Sequence, residues 1–130
     1  MPSPTWRSPR AGGGKLTGLA FHPSTFERRR EAVDLFLEIR AAWPHSEEEV
    51  AARMKLLGNF DVWDGLAELR LPTLVLGGAE DRIVPPENGR RIAGRIPGAE
   101  RVEIPETGHA FYLEEPEATN AALLDFMDGN

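Results

Sequence analysis

The chain has 130 residues, which is enough for one modest domain and too few for two ordinary ones. It contains no cysteine, which excludes disulfides, a thiolate nucleophile and cysteine-ligated metal sites. Its net charge of −6 argues against a nucleic-acid partner, because phosphate binding requires clustered lysine and arginine. No apolar stretch is long enough to cross a bilayer. We therefore expect a soluble, cytoplasmic protein with no membrane partner.

The beginning of the chain differs from the rest in charge and composition. Residues 1–26 carry three basic residues and no acid, whereas the remainder carries 21 acids against 12 bases. Prolines make an amphipathic helix difficult here, so a disordered or non-native leader is expected over 1–23. The glycine run before Lys15 fails as a phosphate-binding loop, because Leu16 stands where serine or threonine is required.

Residues 24–69 show helical periodicity and predict a helical, cap-like segment. Ser24 is the predicted N-cap of a first helix. A second helix is predicted to begin at Ser46, where Glu49 completes a capping box. A short third helix is predicted over 62–69. The second helix has an apolar stripe typical of a packing surface, formed by Val50, Met54 and Leu57.

Residues 70–130 predict the order strand, helix, strand, helix. The apolar run 73–76 is too short for a helix and lacks alternation, as expected for a buried parallel strand. A proline pair then opens a helix that leads to a second strand at 101–104, and Pro116 opens a final helix. A crossover helix of this kind joins parallel strands. The predicted fold class is therefore α/β.

Two candidate catalytic side chains follow these strands. Asp81 lies just past the carboxyl end of the first strand, and His109 lies just past that of the second. The carboxyl ends of adjacent parallel strands share one edge of the sheet, where open α/β sheets place their sites. An aspartate that accepts from imidazole Nδ1–H fixes the tautomer in which Nε2 is a general base. The sequence therefore predicts a hydrogen-bonded Asp81–His109 pair.

The neighbouring acid and the other histidines are assigned different roles. Glu80 is the nearest competitor for the acid role, and we expect its side chain to point to solvent. His22 and His45 lie beside prolines in connecting segments, and we interpret both as structural. No two histidines have metal-ligand spacing with a carboxylate. The sequence therefore predicts no metal and no cofactor.

Two segments carry a resemblance to a known family. Residues 71–85, LPTLVLGGAEDRIVP, resemble the acid-bearing strand and loop of α/β-hydrolase fold enzymes, and residues 104–109, IPETGH, resemble their catalytic-histidine loop. The resemblance is sharp over 70–128 and looser in the helical segment before it, which is similar to the family's cap. It implies that Asp81 and His109 are the triad acid and base. It also implies a small-molecule ester, lactone or carbon–carbon bond substrate.

The family's nucleophile elbow, Gly-x-Ser-x-Gly, is absent from this sequence. None of the serines lies in such a glycine frame; they are Ser3, Ser8, Ser24 and Ser46. The strands that should precede the cap and the loop with an oxyanion donor are missing as well. The expectation is therefore a partial α/β-hydrolase fold, the C-terminal portion of a serine-type hydrolase that is inactive alone.

Three interpretations of this partial pattern remain open. The chain is a fragment of an esterase-like enzyme, or half of a split enzyme whose partner chain supplies the elbow. Alternatively, it is a non-catalytic module that pairs through its sheet edge, as a homo-oligomer or with another protein. The third interpretation depends on the apolar run 74–76, because a strand without its neighbour presents unpaired backbone groups.

Overall fold

The computed structural model describes residues 13–129; residues 1–12 and residue 130 lie outside the described part. The helices in chain order are α1 (Gly13–Ala20), α2 (Thr25–Arg28), α3 (Arg30–Ala42), α4 (Glu47–Gly58), α5 (Pro86–Arg95), α6 (Phe111–Glu114) and α7 (Pro116–Gly129). The strands are β1 (Leu74–Gly78) and β2 (Glu100–Ile104). A 3₁₀ helix covers Asp64–Glu68, inside the segment for which a third helix was predicted.

The two strands pair in parallel, which confirms the α/β prediction. Leu74 lies opposite Glu100, and Gly78 lies opposite Ile104. Helix α5 forms the crossover between the strands and packs against both. Strand β1 extends through Gly77 and Gly78, two residues beyond the predicted run, because these glycines still pair with β2. The described residues thus form two parallel strands plus helices, which is part of a larger α/β architecture.

Residues 13–23 contain a helix and a buried side chain, which differs from a disordered leader over 1–23; that these residues are a non-native leader stays a prediction. Helix α1 covers residues 13–20, and Phe21 directly after it is completely buried. The composition of the first residues did not indicate this packing, in which Ala20 and Phe21 belong to the buried apolar core. The part of that expectation that concerns 1–12 lies outside the described residues.

The main apolar core lies where this segment meets α3 and the residues just before α6. The ring of Phe21 makes edge-to-face contacts with Phe26 and Phe36, with centroid separations of 6.0 and 5.2 Å. The buried residues of this cluster are Ala20, Phe21, Ala32, Val33 and Ala110. The core therefore joins the first described residues of the chain to the last third of the sequence.

The first predicted helix is interrupted. Arg29, which has φ −134° and ψ 53°, is not helical and separates α2 from α3. Ser24 precedes α2, but its hydroxyl accepts no capping hydrogen bond from the helix. The break coincides with ion pairs from Arg29 to Glu115 and Glu117, at 3.5 and 3.1 Å. Tertiary contacts of this kind are invisible to a periodicity argument.

Helix α4 is stabilised by contacts among its own residues. Its predicted capping box is confirmed: the Ser46 hydroxyl accepts from the Glu49 backbone N–H, and the Glu49 carboxylate accepts from the Ser46 backbone N–H. The helix contains no buried residue, and its predicted apolar stripe is exposed. Within residues 13–129, no helix has both the length and the apolar composition needed to cross a membrane.

Candidate active site

The carboxylate of Asp81 is held in place by the loop that follows β1. Its Oδ1 accepts hydrogen bonds from the backbone N–H groups of Ile83 and Val84, at 2.8 and 2.9 Å. The loop is fastened to β2 and to the segment after it, because Ala79 donates to Ile104 O and Glu80 donates to Thr107 O. The side chain of Asp81 is only 9% exposed. These contacts leave Oδ2 as the oxygen that faces a second partner.

That partner is His109. The imidazole Nδ1 lies 2.8 Å from Asp81 Oδ2, so the structure brings the two predicted side chains together. An ionised carboxylate can only accept, which assigns a proton to Nδ1; in the neutral imidazole this is the tautomer whose Nε2 carries no proton. The His109 side chain is 46% exposed, whereas Asp81 is nearly covered. The arrangement is chemically suited to a general base that is oriented by a sheltered carboxylate.

Glu80 does not compete for His109. Its Oε2 lies 3.0 Å from Nε2 of His22, and its side chain is about half exposed. The imidazole Nδ1 of His22 also lies 2.7 Å from the Ser24 hydroxyl. His45 is exposed and contacts Arg53. Asp81 rather than Glu80 therefore contacts His109, and Glu80 has a partner of its own instead of pointing freely to solvent.

Two glycines allow the acid loop and the histidine loop to approach each other. A Cβ atom on Gly78 would lie 2.0 Å from the carbonyl oxygen of Gly108, a distance that no side chain tolerates. A Cβ atom on Gly108 would lie 2.9 Å from the carbonyl oxygen of Ala20. Both positions therefore require glycine because backbone meets backbone there. This close packing sets the spacing between Asp81 and His109.

Two side chains that the sequence analysis did not single out support these loops. Arg82, next to Asp81, donates to the carbonyl oxygens of Gly18 and Phe21 and ties the acid loop to the end of α1. The buried carboxylate of Glu114 accepts from the backbone N–H of Gly108, at 2.6 Å. Neither residue has a spacing signal in the sequence. Each was found only from the folded chain.

A cleft of about 320 Å³ opens beside the pair. Asp81 and His109 both line it, together with the aromatic rings of Phe111 and Tyr112. Its other walls come from β1, β2 and the start of α5, namely Val75–Gly78, Val84–Pro86, Gly89 and Arg101–Glu103. Among the described residues, no three histidine, aspartate or glutamate side chains cluster as a metal would need. The absence of a metal and of a cofactor stays a prediction.

Several known proteins are similar to this chain in structure or in sequence. The thermophilic esterase from Thermogutta terrifontis is 31% identical with a TM-score of 0.74, and the match covers 92% of this chain and 45% of the esterase. Est816, described as an N-acyl homoserine lactone degrading enzyme, is 27% identical with a TM-score of 0.71 over 87% of this chain and 46% of Est816. RutD from Caulobacter sp. (strain K31), named as a carbamate hydrolase, is 39% identical over 65% of this chain and 31% of RutD.

The chain thus spans less than half the length of these relatives. The sequence model of the alpha/beta hydrolase family matches residues 1–122, which is most of the chain. The parallel strand pair and the Asp81–His109 hydrogen bond agree with the resemblance on which the prediction rested. The chain belongs to the alpha/beta hydrolase family.

Proposed function

We propose that this chain is the C-terminal portion of a serine-type hydrolase that cleaves a carboxylic ester or a lactone, and that Asp81 and His109 are its catalytic acid and base. The observation that carries the proposal is the 2.8 Å contact between His109 Nδ1 and Asp81 Oδ2 at the edge of a cleft. Relatives described as an esterase and as an N-acyl homoserine lactone degrading enzyme favour ester and lactone substrates over carbon–carbon bonds.

In this reaction, His109 Nε2 takes the proton of a serine hydroxyl while the serine oxygen attacks the carbonyl carbon of the substrate. The same imidazole then gives that proton to the leaving oxygen as the carbon–oxygen bond breaks. A water molecule releases the acyl group by the same two steps. Asp81 keeps the proton on Nδ1 and stabilises the imidazolium that forms.

The attacking serine is supplied by polypeptide outside this chain. Ser24 is close to a histidine, but that histidine is His22, and the cleft residues do not include Ser24. Ser46 caps α4. The lack of a nucleophile costs on the order of 10⁶ in turnover, and the residual rate of such enzymes depends on an oxyanion hole. We therefore expect the isolated chain to be inactive.

Reconstitution tests this proposal. The isolated chain should hydrolyse p-nitrophenyl acetate no faster than buffer. Combining it with the part of the Thermogutta terrifontis esterase that this chain does not match should restore hydrolysis. His109→Ala should abolish the restored rate, and His45→Ala, which removes an exposed histidine, should leave it unchanged. A restored rate that survives His109→Ala would contradict the assignment, and so would activity of the isolated chain that is lost in Ser24→Ala.

The DNA upstream of Met1 separates two origins of the partial pattern. A reading frame that encodes a Gly-x-Ser-x-Gly turn directly upstream supports a fragment of a single enzyme. A complementing gene elsewhere supports a split enzyme. Both origins keep the same roles for Asp81 and His109.

A second candidate function is a non-catalytic module that associates through its sheet. The sheet in the described part of the chain has only two parallel strands. Parallel sheets normally have helices on both faces, and a strand without a neighbour leaves backbone groups unpaired. Helix α4 also exposes apolar side chains, among them Met54 and Leu57. A discrete oligomer in size-exclusion chromatography, without hydrolysis after reconstitution, supports the module. A monomer contradicts the homo-oligomeric form of the module.

A further inference from the structure

Glu114 is a fully buried carboxylate with three hydrogen-bond donors around it. Oε1 accepts from the backbone N–H of His22 and from the hydroxyl of Thr25, both at 2.6 Å. Oε2 accepts from the backbone N–H of Gly108, also at 2.6 Å. Burial of a carboxylate is costly unless such donors satisfy it. The side chain is therefore held by specific polar contacts rather than by packing alone.

These contacts join two segments that are far apart in the sequence. His22 lies between α1 and α2 and Thr25 is the first residue of α2, whereas Gly108 directly precedes His109. A further backbone bond, from Ala110 N–H to Ala20 O at 2.8 Å, lies on the other side of His109. The backbone N–H groups of the residues on both sides of His109, Gly108 and Ala110, are thus bonded to groups that hold the first described part of the chain. The loop has little freedom to move the imidazole away from Asp81.

We propose that Glu114 is a positioning residue for His109: its carboxylate holds the Gly108 peptide where the imidazole Nδ1 reaches Asp81. The inference rests on the proposed function, in which His109 is the general base. Glu114 does not line the cleft, and neither do the three residues that donate to its carboxylate, so it acts through the loop. Its contribution is to keep His109 in the one orientation and tautomer that a base requires.

The chemistry of the site predicts which substitutions matter. Glu114→Asp keeps the charge but shortens the side chain by one methylene, so one carboxylate can no longer reach both segments. Glu114→Gln replaces one acceptor oxygen by an NH₂ donor, which must then face the N–H of either His22 or Gly108. Thr25→Val removes a donor to Oε1 and leaves the bond to Gly108 in place. Glu115→Gln, at the adjacent partly exposed position, is the matched control.

Nitrogen-15 NMR of the imidazole rings in this chain provides the test, and it needs no catalysis. In the unsubstituted chain, we expect His109 to populate the Nδ1–H tautomer and that proton to exchange slowly with water. In Glu114→Asp, with the fold retained by circular dichroism, the Nδ1–H proton should exchange at least about tenfold faster, and the tautomers should mix. Thr25→Val and Glu115→Gln should keep the His109 signals of the unsubstituted chain.

Two outcomes overturn the proposal. One is a folded Glu114→Asp or Glu114→Gln chain whose His109 tautomer and exchange rate are unchanged, which would make Glu114 a purely structural residue. The other is measured on the unsubstituted chain, so that the proposal can be tested even if the variants do not fold. There the Gly108 amide and the His109 Nδ1–H should lose protection together as urea is added, and loss of the Gly108 protection alone contradicts the coupling. Failure of the hydrolysis test would leave these NMR results unaffected.

Discussion

The loop that carries His109 and helix α4 are held in place by different kinds of contact. The loop is held to the first described part of the chain, because Ala110 N–H donates to Ala20 O and the buried Glu114 carboxylate accepts from the backbone N–H groups of both Gly108 and His22. Helix α4 has a complete capping box and not one buried residue. The loop is therefore fixed by contacts distant in sequence, whereas α4 is fixed by its own residues.

This difference shows which part of the chain belongs to the packed core and which part does not. The segment around Phe21 packs with α3 and with the residues that flank His109, so the candidate site lies on well-packed structure. Isolated helices of the length of α4 are marginal in water without tertiary packing. We expect α4 to contribute little to the global free energy of unfolding and to exchange its amides early.

The largest expected effect is on the free energy of unfolding, and two phenylalanines, one in each region, compare the core with the segment after α4. Phe21 is completely buried, whereas Phe60, just after α4, is 70% exposed. Phe21→Ala should lower the free energy of unfolding by about 3–5 kcal/mol, because it leaves a cavity in the core. Phe60→Ala should change it by less than about 0.5 kcal/mol. Urea unfolding followed by circular dichroism measures both, and equal losses would refute the contrast.

A pair of glycines in β1 tests the close approach at the site. Gly78→Ala forces a methyl group against the Gly108 carbonyl and should cost about 3 kcal/mol, with loss of the Asp81–His109 hydrogen bond. A Cβ atom on Gly77 meets nothing within 4 Å, so Gly77→Ala is the control. Thermal unfolding reports the stability, and the His109 imidazole resonances report the pair. A well-folded Gly78→Ala chain with unchanged resonances would contradict the packing argument.

The capping box of α4 gives a smaller and more local effect. Ser46→Ala removes the acceptor for the Glu49 backbone N–H and should destabilise the helix by about 1 kcal/mol. Because α4 has no buried residue, amide exchange should accelerate in α4 while the global midpoint stays nearly constant. Ser24→Ala is the comparison, since the Ser24 hydroxyl caps no helix. A large shift of the global midpoint in Ser46→Ala would show that α4 is coupled to the core.

The smallest expected effect depends on pH. A hydrogen bond from Arg90, which links α5 to β2, is the main cause that lowers the pKa of Glu103, and Arg101 lowers it further. A carboxylate with a lowered pKa stabilises the fold above its ordinary pKa of 4.5, and this contribution is lost as the pH falls below that value.

Glu103→Gln should therefore destabilise the chain at pH 7 by less than about 1 kcal/mol, as is usual for partly exposed pairs. The difference from the unsubstituted chain should vanish toward pH 3. Glu100→Gln, at an exposed position of the same strand, is the control. Denaturant midpoints measured at several pH values provide the check, and a loss that does not depend on pH would exclude the ion pair as its cause.

Much of the fold could be predicted from the sequence because it is encoded locally. The apolar run of β1, the proline at the start of α5 and the capping box at Ser46 each act within a few residues, and each element was found. The Asp81–His109 contact was predictable as well, since parallel strands bring their carboxyl ends to one edge. These signals need no knowledge of what packs against them.

The remainder could not be predicted because it depends on tertiary neighbours. Glu114 and Glu115 are adjacent and chemically identical, yet one is completely buried beneath the His109 loop and the other pairs with Arg28 near the surface. The packing of Phe21 was missed for a related reason. The composition of the residues before it suggested disorder, whereas its partners lie in α2 and α3.

The turnover of the reconstituted hydrolase with Asp81→Asn tests the central claim most directly. The substituted side chain keeps its size but can donate to His109 and favour the wrong tautomer, so the rate should fall by about 10⁴. Asp34→Asn, which alters only a surface ion pair with Arg30, should leave the rate unchanged. A reconstituted enzyme that keeps its full rate with Asp81→Asn would show that the pair joining the two strand ends is not the catalytic acid and base.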